Sequence, residues 1–136
     1  MKTFTKNPPR WDKDEILNEL EEFKNLYKDR PIKENIHGMR FQHMLATYFI
    51  LKKLNPSYVI ESGVFKGQST WLIENTLPNS EILSIDINLN QREYISKKVK
   101  YTNIDFKYQD FSNIPKDTLV FLDDHVNHYE RLQQAK

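Results

Sequence analysis

The sequence predicts an α/β protein of three layers, a parallel sheet with helices on both faces, and three observations point there. Beyond Pro56, short β-branched apolar runs alternate with runs of helical period. Parallel neighbours can be joined only by a covering connection, so that rhythm requires right-handed crossovers. The first strand-like run is followed at once by a turn with glycines four apart, Gly63 and Gly67, that opens into a helix. The chain of 136 residues is long enough for one domain with a real core and too short for two.

Taken in order, Ile16, Leu17, Leu20, Phe23 and Leu26 recur at three and four between Asp12 and Tyr27, with glutamates opposite, which predicts an amphipathic helix. Asp29, Arg30 and Pro31 stop it, and a polar connector runs to Gly38. Phe41, Leu45, Tyr48, Phe49, Leu51 and Leu54 predict a second, well buried helix ending near Asn55 and Pro56. Then come strand Tyr58 to Ile60, helix Ser69 to Leu77, strand Ile82 to Ile87 and helix Arg92 to Val99. Ile104 to Tyr108 reads as a short third strand and Thr118 to Leu122 as a fourth, with the apolar run of a strand buried on both faces. A helix starts around Asn127 to Leu132. Neither a Gly stop nor a returning strand follows, so the fourth strand would be an open edge, and the expectation is a domain truncated after that strand.

Composition narrows the partners. Lys and Arg number 20 against 19 Asp and Glu, and a net charge of +1 supplies no field to hold the chain on nucleic acid or anionic lipid. Absence of cysteine excludes disulfides, thiolate zinc sites and cysteine nucleophiles together. Met1 to Trp11 is polar with Pro8 and Pro9 and lacks the apolar core of a signal peptide, and the longest apolar stretch is broken by Lys52 and Lys53. The expectation is a soluble, cytoplasmic protein with no membrane partner.

Ligands of such sheets bind outside the carboxyl ends of the strands. After strand one stands Glu61-Ser-Gly-Val-Phe-Lys-Gly67-Gln-Ser-Thr70, a glycine turn leading into a helix N-terminus whose free amides favour a negative group. The dinucleotide pattern GxGxxG fails there, because Phe65 and Gln68 occupy its second and third glycine positions, and no P-loop follows. What remains suits a ligand with a positive group near Glu61, although Gly63 and Gly67 also suit a plain tight turn. Strand two ends at Asp86, placed beside the glycine turn to accept the ribose hydroxyls of an adenosine. Asp110 could accept from an adenine amino group with Phe111 on its ring, or simply make an Asx-turn. Strand four ends in Asp123-Asp-His-Val-Asn-His128, where Asp124 and His125 are candidates for proton transfer and helix capping is the rival reading. Three ligands in so short a turn rarely converge, so no metal site is assigned.

Val59-Ile-Glu-Ser-Gly-Val-Phe-Lys-Gly-Gln-Ser-Thr70, Ile85-Asp86, Gln109-Asp110 and Phe121-Leu-Asp-Asp-His125 together carry a resemblance. From about Asn55 onward the chain resembles the class I S-adenosylmethionine-dependent methyltransferases. The ExGxxxGxST form looks like the branch holding catechol- and caffeoyl-type O-methyltransferases, macrocin-type sugar methyltransferases and cephalosporin hydroxylase-like proteins, and the DDH is similar to the last group.

The resemblance implies a Rossmann-like doubly wound parallel sheet in family order 3, 2, 1, 4, 5, 7, 6, with only the cofactor half present. Residues 1–54 would be an N-terminal arm and helical cap, and residues 55–136 the cofactor-binding half. Glu61 and Gly63 would lie beside the methionine part, Gly67 and Ser69 near its carboxylate, Asp86 on the ribose and Asp110 near adenine. Asp123 would match the fourth-strand acid, which in some relatives helps hold the methionine part or Mg²⁺. The implied cofactor is S-adenosyl-L-methionine, with a divalent metal admitted but not favoured. The implied reaction is O-methyl transfer to a small-molecule or sugar hydroxyl, with Asp124 or His125 as base. The rivals are a non-catalytic nucleoside-binding module and a nicotinamide-dependent oxidoreductase.

Overall fold

The computed structural model describes residues 10–136, so the reading of an N-terminal arm before Arg10 lies outside the described residues. Two helices come first, α1 (Lys13–Lys28) and α2 (Phe41–Leu54). Asp12 caps α1 by accepting the Glu15 N–H at 2.7 Å, and Asp14 and Glu15 sit favourably at its positive end. Asn55 ends α2 in the left-handed conformation, its N–H returning to Leu51 O, and Pro56 forbids continuation.

Four strands follow: β1 (Tyr58–Ser62), β2 (Glu81–Ile85), β3 (Lys100–Thr102) and β4 (Leu119–Leu122). Helix α3 (Gln68–Thr76) connects β1 to β2, and α4 (His128–Gln134) follows β4. All strand pairs are parallel and the order is β3-β2-β1-β4, so the winding reverses at β1. This is the parallel α/β arrangement that the alternation of runs required, in the Rossmann-like form that the resemblance implied. β4 pairs with β1 alone in the described sheet, and its four residues are half-buried, where fuller burial was expected.

The two sheet faces have different covers. Val59 and Ile82 pack under α2 and α3 with Leu51, Ile73 and Leu77. Ile60 and Ile85 point the other way, against Phe106, Phe111 and Ile114, with Ala135 just beyond α4. The cap is fastened by aromatic packing: Phe23 of α1 is fully buried, with the rings of Tyr27, Phe41 and Tyr48 between 5.3 and 5.6 Å away. Burying one such side chain is worth about 1.5–3 kcal/mol.

Two expected elements are absent. Arg92 to Val99 is not a helix: Glu93 and Tyr94 donate their N–H groups to Lys66 O, the Tyr94 and Ser96 hydroxyls donate to Glu74, and Ile95 faces solvent. Ile104 to Tyr108 is not a strand either. Strand β3 ends at Thr102, and Asp105 caps a 3-10 turn over Phe106–Tyr108 by accepting from Lys107 N–H.

Candidate functional site

Strand ends build the site. Ser62 O accepts the Asp123 N–H and Ile85 O accepts the Gly63 N–H, both at 2.8 Å, so the ladders of β4, β1 and β2 run on into the loops that follow them. Gly63 sits at φ +100°, and a Cβ on it would stand 2.4 Å from Asp123 O. Gly67 begins α3 at φ +95°, where a Cβ would meet Tyr94 O at 2.5 Å. Both glycines are demanded by conformation and by close approach.

Between these loops lies a cavity of about 490 Å³, walled on the cap side by Asn35, His37 and Met39. That is the size of a small-molecule site. Phe65, His37 and His125, all non-glycine residues with positive φ, line it at 49°, 65° and 57°. Strained backbone clusters at functional sites because the surrounding structure must hold it there.

The residues singled out in the sequence separate into three groups. Gly63, Ser69, Asp86, Asp123, Asp124 and His125 line the cavity. Asp86 Oδ2 accepts the N–H groups of Val64 at 2.8 Å and Phe65 at 3.0 Å, and its Oδ1 accepts from Asn88 N–H at 2.9 Å. Its carboxylate therefore braces the glycine loop as well as facing the cavity. Ser69 donates its hydroxyl to Glu61.

Glu61 and Gly67 stand behind the cavity wall. Glu61 is fully buried and accepts from Ser69, from Thr70 at 2.6 Å and from Ser84 at 2.6 Å, tying β1 to α3 and β2. Desolvation pushes its carboxyl above the ordinary value, against the pull of the three hydroxyls.

Asp110 is outside the site altogether. It is exposed and accepts the Ser112 N–H at 2.9 Å, the Asx-turn that was its rival reading. With β3 ending at Thr102, the acid near the cavity is Asp105, a residue that reasoning from sequence missed.

Strand four supplies two dissimilar acids. Asp124 Oδ2 takes the Ser62 hydroxyl at 2.5 Å and Arg131 Nε at 2.7 Å, and Oδ1 takes the Val126 N–H at 3.2 Å. Those donors engage both oxygens of Asp124, which the sequence offered beside His125 as a candidate for proton transfer. Asp123 has no such partners among the described residues; desolvation raises its carboxyl, opposed by His125 and His43 nearby. Arg131, 3% exposed, also grips Asp105 bidentately at 2.8 and 3.0 Å and lines the cavity beside Phe106, whose ring centroid is 5.6 Å from its Cζ. Nothing local in the sequence marks it, because its partners lie 7 and 26 residues away.

Among the described residues no group of three or more His, Asp or Glu is arranged to hold a metal ion. The donor set does not fit one, since Asp124 is spent on Arg131. Nor is any described helix long and apolar enough to cross a membrane.

No protein-family model matches the chain, and no curated protein does. Solved structures do resemble it. The structure "cmcI-N160 SAH" aligns with a TM-score of 0.61 at 14% identity, covering 96% of this chain and 72% of that one. "cmcI-D160 Mg-SAM" aligns at 0.54 and 16% identity, covering 96% and 62%, and "CmcI-N160 apo-structure" at 0.55 and 15%, covering 96% and 61%. The chain thus spans from 61 to 72% of these neighbours and shares their fold. At such identities fold is what the likeness establishes.

Proposed function

We propose that this chain is an S-adenosylmethionine-dependent methyltransferase unit that transfers the methyl group to a hydroxyl of a small molecule or sugar. The observation that carries the reading is the cavity at the winding reversal beside β1, walled by the Gly63 loop, Asp86 and Asp123, in a fold whose solved neighbours are described with SAH and Mg-SAM. Bound there, S-adenosylmethionine supplies a methyl group on a sulfonium, already electrophilic.

The chain's own residues then have to bind and align. Asp86 lines the cavity and is the acid assigned to the ribose hydroxyls in this reading, while its Oδ2 holds the loop amides that shape the wall. Ser69 offers its acceptor lone pairs, its O–H being directed in a hydrogen bond to Glu61. Of the acids, Asp86 and Asp123 line the cavity and make its surroundings favourable to a cation. Alignment of acceptor and methyl carries most of the rate, through proximity. His125, exposed at the cavity rim with Asp123 nearby, is the group that takes the hydroxyl proton in this reading.

The test is calorimetric titration with S-adenosylhomocysteine, with NAD as control. Binding of the homocysteine compound alone, weakened about tenfold or more in Asp86→Ala and unchanged in Asp110→Ala, supports the reading. No binding by a folded sample, or equal binding of NAD, sinks it.

A further inference from the structure

A second cavity, of about 530 Å³, opens on the cap side of the first and shares Asn35, Met39 and Gln68 with it as a common wall. Its charges come from three places: Arg30 beyond α1, Lys33 in the connector, whose Nζ also donates to Lys28 O at 2.5 Å, and Arg40 at the start of α2, against the one carboxylate of Glu34. Scattered basic residues on a convex surface would be plain solvated charges. Here they line a concavity, where a low-dielectric wall strengthens their field.

Two further details give the cavity a binding character. The rings of Tyr27 and Phe41 meet edge to face at 5.0 Å in its wall. Arg30 Cζ stands over the Tyr27 ring, 3.9 Å from its centroid, and the guanidinium donates to Tyr27 O and Lys33 O at 3.0 and 3.2 Å, which fixes its position. The Arg40 guanidinium makes no hydrogen bond or ion pair among the described residues, while its carbonyl accepts the Met44 N–H at 2.9 Å; as N-cap of α2, Arg40 leaves the first turn without a side-chain cap or an acidic neighbour. The wall shared with the first cavity holds Asn35, 9% exposed, whose Nδ2 donates to Met39 O at 3.0 Å and whose Oδ1 has no donor. Flipping the amide would set two oxygens face to face, so Oδ1 is a buried acceptor without a donor in the wall between the two cavities.

We propose that the second cavity is an anion subsite: Arg30, Lys33 and Arg40 seat the carboxylate or phosphate of a ring-bearing, hydroxylated molecule whose ring lies against Tyr27 and Phe41. That molecule is the methyl acceptor, so the proposal deepens the methyl-transfer reading and rests on it. Its charged handle is held in one cavity while a hydroxyl passes Asn35 into the other.

The experiment is an NMR titration of the ¹⁵N-labelled full chain with glucose 6-phosphate, and separately with glucuronate, inorganic phosphate and glucose. Glucose 6-phosphate or glucuronate is expected to move the amide signals of Arg40, Phe41, Gln42 and His43, and to bind more tightly than inorganic phosphate, while glucose leaves them in place. Arg40→Gln, and Arg30→Gln with it, should weaken binding about tenfold with S-adenosylhomocysteine affinity unchanged, which also shows that the variants are folded. Absence of shifts at these residues, or equal affinity in the variants, overturns the subsite even where S-adenosylhomocysteine binds. Shifts as expected without S-adenosylhomocysteine binding would remove the acceptor role along with the methyl-transfer reading.

Discussion

The side-chain amide of Gln68 pairs with the backbone of Ile32 in both directions, Nε2 donating to Ile32 O at 3.0 Å and Oε1 accepting the Ile32 N–H at 3.2 Å. Gln68 is the first residue of α3 and is 3% exposed, so no water competes for either bond. The connector that carries Asn35, His37 and Met39 is thereby fastened to the helix that carries Ser69. Cap and sheet form one site through this pairing, whose two ends lie 36 residues apart.

Gln68→Ala should therefore cost about 1–3 kcal/mol, because it leaves a buried N–H and C=O of Ile32 unpaired. Gln68→Glu should cost more, since it removes the donor and buries a carboxylate. Urea denaturation of the two variants checks the order. Equal stability to wild type would mean that the connector is held elsewhere.

Gly63→Ala meets two obstacles together: φ of +100° and a backbone oxygen 2.4 Å from the new Cβ. The obstructing atom, Asp123 O, belongs to the residue whose N–H bonds Ser62 O, so the methyl group can fit only by parting β4 from β1. A loss of more than about 2 kcal/mol is expected, together with loss of S-adenosylhomocysteine binding in whatever fraction stays folded. Thermal melting with and without the compound reads both effects.

Much of this arrangement was legible in the sequence, and the failures have physical causes. The strands at Tyr58, Ile82 and Leu119 announce themselves because each is a run of β-branched or apolar residues bounded by turn signals. Strand β3 does not, being the three residues Lys100–Thr102, two of them polar. The alternation of Ile104, Phe106 and Tyr108 imitated a strand, yet only Phe106 of the three is buried. That displacement carried the acid assignment from Asp105 to Asp110. Arg92 to Val99 imitated a helix because Tyr94 and Val99 are anchored inward, but their anchors are Glu74 and the sheet core, contacts no local period encodes. The ion pairs of Arg131 are equally invisible, since their partners are distant in sequence.

Arg131→Ala strips the counter-ion from Asp105 and Asp124, whose side chains are 23% and 11% exposed, and should cost about 3 kcal/mol. Arg131→Lys rescues little, because an ammonium cannot reproduce the fork that holds both oxygens of Asp105. The Arg131 guanidinium holds the Asp105 carboxyl down at about 2, below its ordinary 3.8. A lowered folded value means stabilisation that is complete above 3.8 and lost as pH falls toward 2. Acid titration followed by circular dichroism should show that this contribution is missing in Arg131→Ala; parallel acid limbs for the two proteins would remove Arg131 as its source.

Glu61 predicts the opposite slope. Desolvation raises its carboxyl above 4.5, and its three hydroxyl donors only partly offset that cost. The folded state then holds the Glu61 proton more tightly than the unfolded chain does. Its contribution to stability is complete below 4.5 and is lost as pH rises through the raised value. Glu61→Gln cannot titrate, so wild type should lose stability relative to the variant on going from acid to neutral pH, although the amide fits the hydroxyls less well at the acid end. Urea midpoints collected over that range measure the difference directly, and the other carboxylates cancel because both proteins carry them. If the two sets of midpoints run parallel, Glu61 is ionised in the fold with no net penalty, and the wall behind Ser69 is a settled negative charge held by hydroxyls alone.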